Sequence, residues 1–152
     1  MRKQYFPSIK NAPSPLRVTV ERRVRFEEAD PLAIVWHGRY ASYLEDARNA
    51  IGEKYGIGYM DFHRNGVITP VRVMHIDYHL PLGLNEIFTI EGILHWTDAA
   101  RINLEYIIRN REGLISTTGY SVQVFLDREN ELLLIHPPFY REFREKWRAG
   151  LI

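Results

Sequence analysis

The chain has 152 residues, of which 45% are hydrophobic and 26% charged, with a formal net charge of +1. That length suits one domain and that composition an ordinary globular protein. The near-neutral charge argues against a general attraction to nucleic acid or anionic lipid, and the absence of cysteine excludes disulfides, thiolate metal sites and a cysteine nucleophile.

Residues 1–15 carry Pro7, Pro13 and Pro15 with little periodicity, which predicts an extended N-terminal arm. The start, Met1 to Pro7, is basic but has no apolar run behind it, unlike a signal peptide. The longest apolar stretches, such as Leu132 to Ile135, are too short to span a bilayer. A cytoplasmic protein is expected, with neither membrane nor nucleic acid as partner.

From Val18 the pattern alternates. Val18, Val20, Val24 and Phe26 fall on one face, and Thr19, Glu21, Arg23 and Arg25 on the other, predicting a half-buried strand. It ends in the acidic turn Glu27-Glu28-Ala29-Asp30-Pro31, followed by an apolar connector over 32–36. Tyr40, Tyr43, Leu44, Ala47, Ala50 and Ile51 then recur at spacings of three and four, predicting an amphipathic helix over 38–55 that stops at Gly56. The glycine-punctuated segment 56–66 has room for one short helix.

Residues 67–80, 86–96, 101–110 and 114–126 are rich in β-branched and aromatic residues and are separated by turn signals, so four more strands are predicted. In 101–109, Ile102, Leu104, Tyr106 and Ile108 alternate with polar residues, which predicts a solvated second face. Pro137-Pro138 opens a final helix with Phe139, Phe143 and Trp147 four residues apart. The order of elements predicts an α+β domain over 16–152, a five-stranded antiparallel sheet with the long helix packed on one face. Five strands cannot close around so long a helix, and a partner chain is the natural remedy for the open edge.

Where the first strand meets the helix, the chain reads Val24-Arg25-Phe26-Glu27-Glu28-Ala29-Asp30-Pro31-Leu32-Ala33-Ile34-Val35-Trp36-His37-Gly38-Arg39-Tyr40. This run strongly resembles the signature of the 4-hydroxybenzoyl-CoA thioesterase family, including its acyl-CoA thioesterase branch. Tyr43-Leu44-Glu45-Asp46-Ala47-Arg48 is similar to the family's helix, and Val67-Ile68-Thr69-Pro70 to the lead-in of its second strand. The resemblance implies a hot-dog fold, with the sheet wrapped around a long central helix, plus the C-terminal helix. It implies hydrolysis of an acyl thioester carried on CoA or an acyl carrier protein, in a homodimer or homotetramer with the site at the subunit interface. Asp30 stands at the catalytic aspartate position, with His37 and Gly38 beside it at the helix start. Trp36, Tyr40, Tyr43 and Thr69 are the expected substrate-binding residues, and Glu45 is a second candidate carboxylate. No metal or cofactor is expected. The sequence departs from the family at Ala33, where glycine is usual, and after Trp96, where Thr97-Asp98-Ala99-Ala100 replaces the basic residues that hold CoA phosphates in hydroxybenzoyl members. Arg101, Arg128 or a partner's arginines are the substitutes.

These residue types suit the chemistry. A carboxylate attacks a thioester carbonyl through a mixed anhydride or acts as general base for water. Backbone N–H groups at a helix start, near Trp36, His37 and Gly38, lack intrahelical partners and can polarise the carbonyl oxygen. Taken alone, Asp30 before Pro31 is an ordinary turn residue; the extended motif reverses that reading. Glu45 and Asp46 otherwise read as a solvated face paired with Arg39 or Arg48. His75, Asp77 and His79 alternate along a strand, and read as a polar stripe more readily than as a metal site. Two other functions fit the fold: a non-catalytic acyl-thioester-binding module, and an acyl-CoA hydratase or dehydratase using Asp30 and His37.

Overall fold

The computed structural model describes residues 2–152; the first residue of the arm, Met1, lies outside them. Five strands form one antiparallel sheet: β1 (Leu16–Arg23), β2 (Val71–Tyr78), β3 (Ile87–His95), β4 (Arg101–Arg109) and β5 (Ile115–Val124), in the order β1-β3-β4-β5-β2. Helix α1 (Tyr40–Tyr55) lies across β1, β3 and β4, a short α2 (Tyr59–Arg64) follows it, and α3 (Pro138–Arg148) closes the chain. Each predicted element is present.

Alternation decides what faces α1. Phe88, Ile90 and Leu94 of β3 and Ile102, Leu104, Tyr106 and Ile108 of β4 share one core with Tyr43, Leu44, Ala47 and Ile51 of the helix. At Gly92 a side chain would come within 3.0 Å of Ile51 Cδ1 and 3.2 Å of Ala47 Cβ, so this glycine lets the helix settle on the sheet. Gly56, at φ +69°, ends α1 in the left-handed conformation that glycine adopts without steric cost.

Three expectations are corrected. The strand predicted over 67–80 begins only at Val71, because Pro70 has no N–H for a ladder; its carbonyl accepts from Val124 instead. Phe26 is not on the buried face of β1. The chain leaves the sheet after Arg23 and enters a 3₁₀ turn at Phe26–Glu28, which leaves the ring 83% exposed. The second face of β4 is not solvated either, since Asn103, Glu105 and Ile107 are all buried.

The N-terminal arm accounts for that last difference. Tyr5 Oη donates to Asp77 Oδ2 at 2.6 Å and lies 2.7 Å from Thr118 Oγ1. Its ring packs on His75 and Tyr120, and that of Phe6 on His95 and Tyr120. The arm therefore crosses β2, β5 and β3 on the side away from α1. Its far end is tied to α3, where Trp147 Nε1 donates to the Ser14 carbonyl.

Candidate active site

Between β1 and α1 the chain folds into a narrow loop whose two sides touch. Asp30 N donates to Ile34 O at 2.8 Å, Trp36 N to Glu28 O at 3.0 Å, and Ala29 bridges Val35. The loop is moored to the turn before β3: Val35 N donates to Leu82 O, Leu84 N to Ala33 O, and Ile34 bridges Gly83. At its tip, Ala33 N donates to Asp30 O at 2.9 Å with Ala33 at φ +61°. That conformation costs an L-residue about 1–2 kcal/mol and costs glycine nothing comparable. The departure from the family's glycine thus falls on the residue whose backbone glycine suits.

Asp30 is half-buried, and Oδ1 accepts the Leu32 N–H at 2.8 Å. This is the turn contact expected of aspartate before proline. Among the described residues Oδ2 has no protein donor. On the same loop, Phe26, Leu32 (77% exposed) and Trp36 (51% exposed) present apolar surface outward.

The start of the helix differs in detail from expectation. A 3₁₀ turn at His37–Arg39 precedes α1, and the Trp36 N–H is spent on Glu28 O. Trp36 is therefore not a free donor, because the loop consumes it. His37 and Gly38 open the turn, where N–H groups have no intrahelical acceptor. The Trp36 indole lies on Gly38, so that a side chain at 38 would meet it at 2.3 Å. Tyr78 of β2 donates its hydroxyl to His37 O at 2.9 Å and pins the helix start to the sheet. Sequence reasoning missed Tyr78, since this bond joins residues far apart along the chain with no local pattern linking them.

Tyr40 and Tyr43 lie beneath the helix start and are buried. Burial raises the Tyr40 hydroxyl above its ordinary value, opposed by hydrogen bonding at Leu82, Ser116 and Thr117. Burial, reinforced by the Glu28 carboxylate, raises that of Tyr43 further. Thr69 stands apart from this group, in a crevice of about 430 Å³ with Tyr59, Met60, His63 and Ile68; its hydroxyl is buried and without a protein partner. Glu45 accepts the Tyr59 hydroxyl at 2.8 Å.

Arg48 is not a surface partner for the helix acids. It is 1% exposed, donates to Gln123 Oε1 and Ile57 O, and lies over the Tyr59 ring. Asp46 pairs with Arg22 instead, and Arg39 donates to Glu27 O. Burial fits guanidinium's planar, weakly hydrated character, which periodicity alone does not reveal. His75 and Asp77 lie under the arm, 2.9 Å apart, while His79 is exposed, 3.1 Å from Thr118. Among the described residues no group of three or more His, Cys, Asp or Glu is placed to hold a metal ion. At Trp96 the missing basic loop is met by α3, whose Arg144 and Arg148 guanidinium groups stack 3.8 and 4.7 Å from the indole centre.

A five-stranded antiparallel sheet packed against one long helix is the architecture that the sequence resemblance implies, and comparison with known proteins agrees. Residues 24–145 match the thioesterase-like superfamily, and the chain belongs to it. Among curated proteins it is 29% identical over 110 residues to "Putative acyl-CoA thioesterase YneP" of Bacillus subtilis, covering 72% of this chain and 80% of that one. Among solved structures it resembles a DHNA-CoA thioesterase from Staphylococcus aureus, with a TM-score of 0.78, 24% identity and coverage of 88% and 91% of the two chains. It also resembles Slr0204, a 1,4-dihydroxy-2-naphthoyl-CoA thioesterase from Synechocystis, with a TM-score of 0.75, 14% identity and coverage of 89% and 97%. The architecture is the hot-dog fold, in the thioesterase-like superfamily. No described helix is long and apolar enough to cross a membrane.

Proposed function

We propose that this protein hydrolyses acyl-CoA thioesters to free acid and CoA, with Asp30 as the catalytic carboxylate. The observation that carries the reading is the Asp30 side chain: one oxygen is fixed by the Leu32 N–H and, among the described residues, the other has no protein donor, on the loop that leads into a helix start whose first N–H groups lack intrahelical acceptors. In this reading the thioester carbonyl lies between Asp30 Oδ2 and the N–H groups of His37 and Gly38. Asp30 either takes a proton from the attacking water and passes it to the departing sulfur, or attacks the carbonyl carbon to form a mixed anhydride that water then hydrolyses, the water's proton going to the thiolate. The two amides hold the negative charge that develops on oxygen, and CoA leaves as the thiol. Trp36, Tyr40 and Tyr43 form the wall on the helix side. CoA is favoured over an acyl carrier protein by the name of the Bacillus relative.

A second chain completes the site. Phe26, Leu32 and Trp36 expose apolar surface on the loop that carries Asp30, and β2 is an edge strand whose Val71, Val73 and Tyr78 are also exposed. Pairing through such an edge removes unpaired backbone groups and covers apolar area in one step, which makes a homodimer the assembly proposed. The Thr69 crevice at the head of β2 would then belong to the same interface.

The test is thiol release from an acyl-CoA panel by the wild type and Asp30→Asn. The variant should lose about 10²–10⁴-fold in turnover, with unchanged circular dichroism and oligomeric state. Near-native turnover in the variant would remove Asp30 from the mechanism. No thiol release from any acyl-CoA by the wild type would remove the activity itself.

A further inference from the structure

On the face of the sheet away from α1, the N-terminal arm does not close fully onto the strands. It leaves a crevice of about 550 Å³ bounded by Arg2, Phe6 and Pro13 of the arm and by His95, Trp96 and Glu105 of the sheet. Glu105 is the unusual member. It is 3% exposed, and its Oε1 lies 2.9 Å from His95 Nε2. Its Oε2 is buried and, among the described residues, has no hydrogen-bond partner. Arg2 Nη2 stands 3.8 Å from Oε2, beyond hydrogen-bonding distance, on a side chain 38% exposed. Two residues earlier on the same face, Asn103 is also buried with its Oδ1 unpartnered, and it sits opposite His95 in the ladder.

Of these two acceptors only the Glu105 carboxylate lines the crevice. Leaving a buried carboxylate oxygen bare is costly, and the group that relieves it best is a donor carrying positive charge. The Phe6 and Trp96 rings on the crevice wall add faces over which an organic cation is attracted. Lys3 does not supply the charge, since its ammonium is turned toward Asp77, 4.0 Å away.

We infer that the crevice beneath the arm is a binding site for a small organic cation, a guanidinium or a primary amine, anchored on Glu105. Arg2 at the mouth acts as a weak internal competitor for the same carboxylate. The site lies across the sheet from α1, and it holds or falls independently of the thioesterase reading.

Titration calorimetry with butylguanidinium as the probe, and the isosteric neutral butylurea as control, tests this on the full chain. The wild type should bind butylguanidinium saturably with a dissociation constant below about 1 mM, and butylurea about tenfold or more weakly. Glu105→Gln should lose about tenfold in affinity for the cation, and Arg2→Ala should gain a few fold. Absence of saturable binding, equal affinity for the two probes, or full affinity in a folded Glu105→Gln would each overturn the proposal and leave a crevice filled by water. Should Glu105→Gln fail to fold, Arg2→Ala decides: tighter binding supports the site, and unchanged or weaker binding overturns it.

Discussion

The two faces of this sheet are covered by different means. Toward α1, Phe88, Ile90, Leu104 and Ile108 meet a helix whose own apolar stripe recurs at the matching period. Away from α1, the cover is a proline-punctuated arm held by a tyrosine hydroxyl, two aromatic rings and ion pairs to Asp77 and Glu105. The first face is held by non-directional burial, which scales with area and is indifferent to proton concentration. The second depends on particular atoms meeting at particular distances. The inner face therefore supports the fold, while the outer face is conditional, responsive to pH and to ligands that compete for its carboxylates.

The largest effect expected is on the inner face. Leu104→Ala should cost about 2–5 kcal/mol in urea unfolding, the usual range for a buried leucine whose cavity only partly collapses. Removing residues 2–9 should cost less than that and leave α1 packed, as judged by near-ultraviolet circular dichroism. If removal of the arm unfolds the chain as thoroughly as Leu104→Ala, the distinction between support and cover is wrong.

A smaller effect is expected at Phe6, whose ring lies 5.2 Å from that of His95 and 5.5 Å from that of Tyr120. Phe6→Ala removes two aromatic contacts of a half-buried ring and should cost about 1–2 kcal/mol. Amide exchange in residues 2–9 should rise while exchange in α1 stays at the wild-type rate. Equal acceleration in both would mean that arm and helix open as one unit.

The same contrast explains what could be read from the sequence. The 3.6-residue recurrence of Tyr43, Leu44, Ala47 and Ile51 and the alternation of Ile102, Leu104, Tyr106 and Ile108 are local patterns, and they led directly to the inner layer. The arm has no period, so nothing in Tyr5 or Phe6 announces a docking place some seventy residues or more along the chain. Reading Asn103 and Glu105 as solvated followed from that silence. At the candidate site, Asp30, Trp36, His37 and Gly38 could be put forward together because they fall within one short run of the chain. The Glu28 acceptor that occupies the Trp36 N–H and the Tyr78 hydroxyl at His37 became visible only when the loop closed and β2 found its place. Arg48 misled because charge ordinarily marks a solvated face, and its partners Gln123 and Ile57 lie outside the helix.

The smallest and most specific effect expected is on acid stability. The Asp77 carboxyl is held below its ordinary value of 3.8, first by the hydrogen bond from Tyr5 and then by His75. A carboxyl depressed in the folded state contributes stability that is complete above its unfolded value and is lost as pH falls through its folded one. The wild type should therefore exceed Tyr5→Phe in thermal midpoint by a constant margin at neutral and mildly acidic pH. That margin should shrink once the pH drops below 3.8, as Asp77 takes up its proton and ceases to be a charged acceptor. Leu104→Ala, measured across the same range, should keep a constant deficit, because its ladder partners Leu94 and Ser121 carry no acid-titrating group. A margin for Tyr5→Phe that ran parallel to that of Leu104→Ala down to the acid limit would show that the arm is held by ring packing alone. The outer face would then be as indifferent to protons as the inner one.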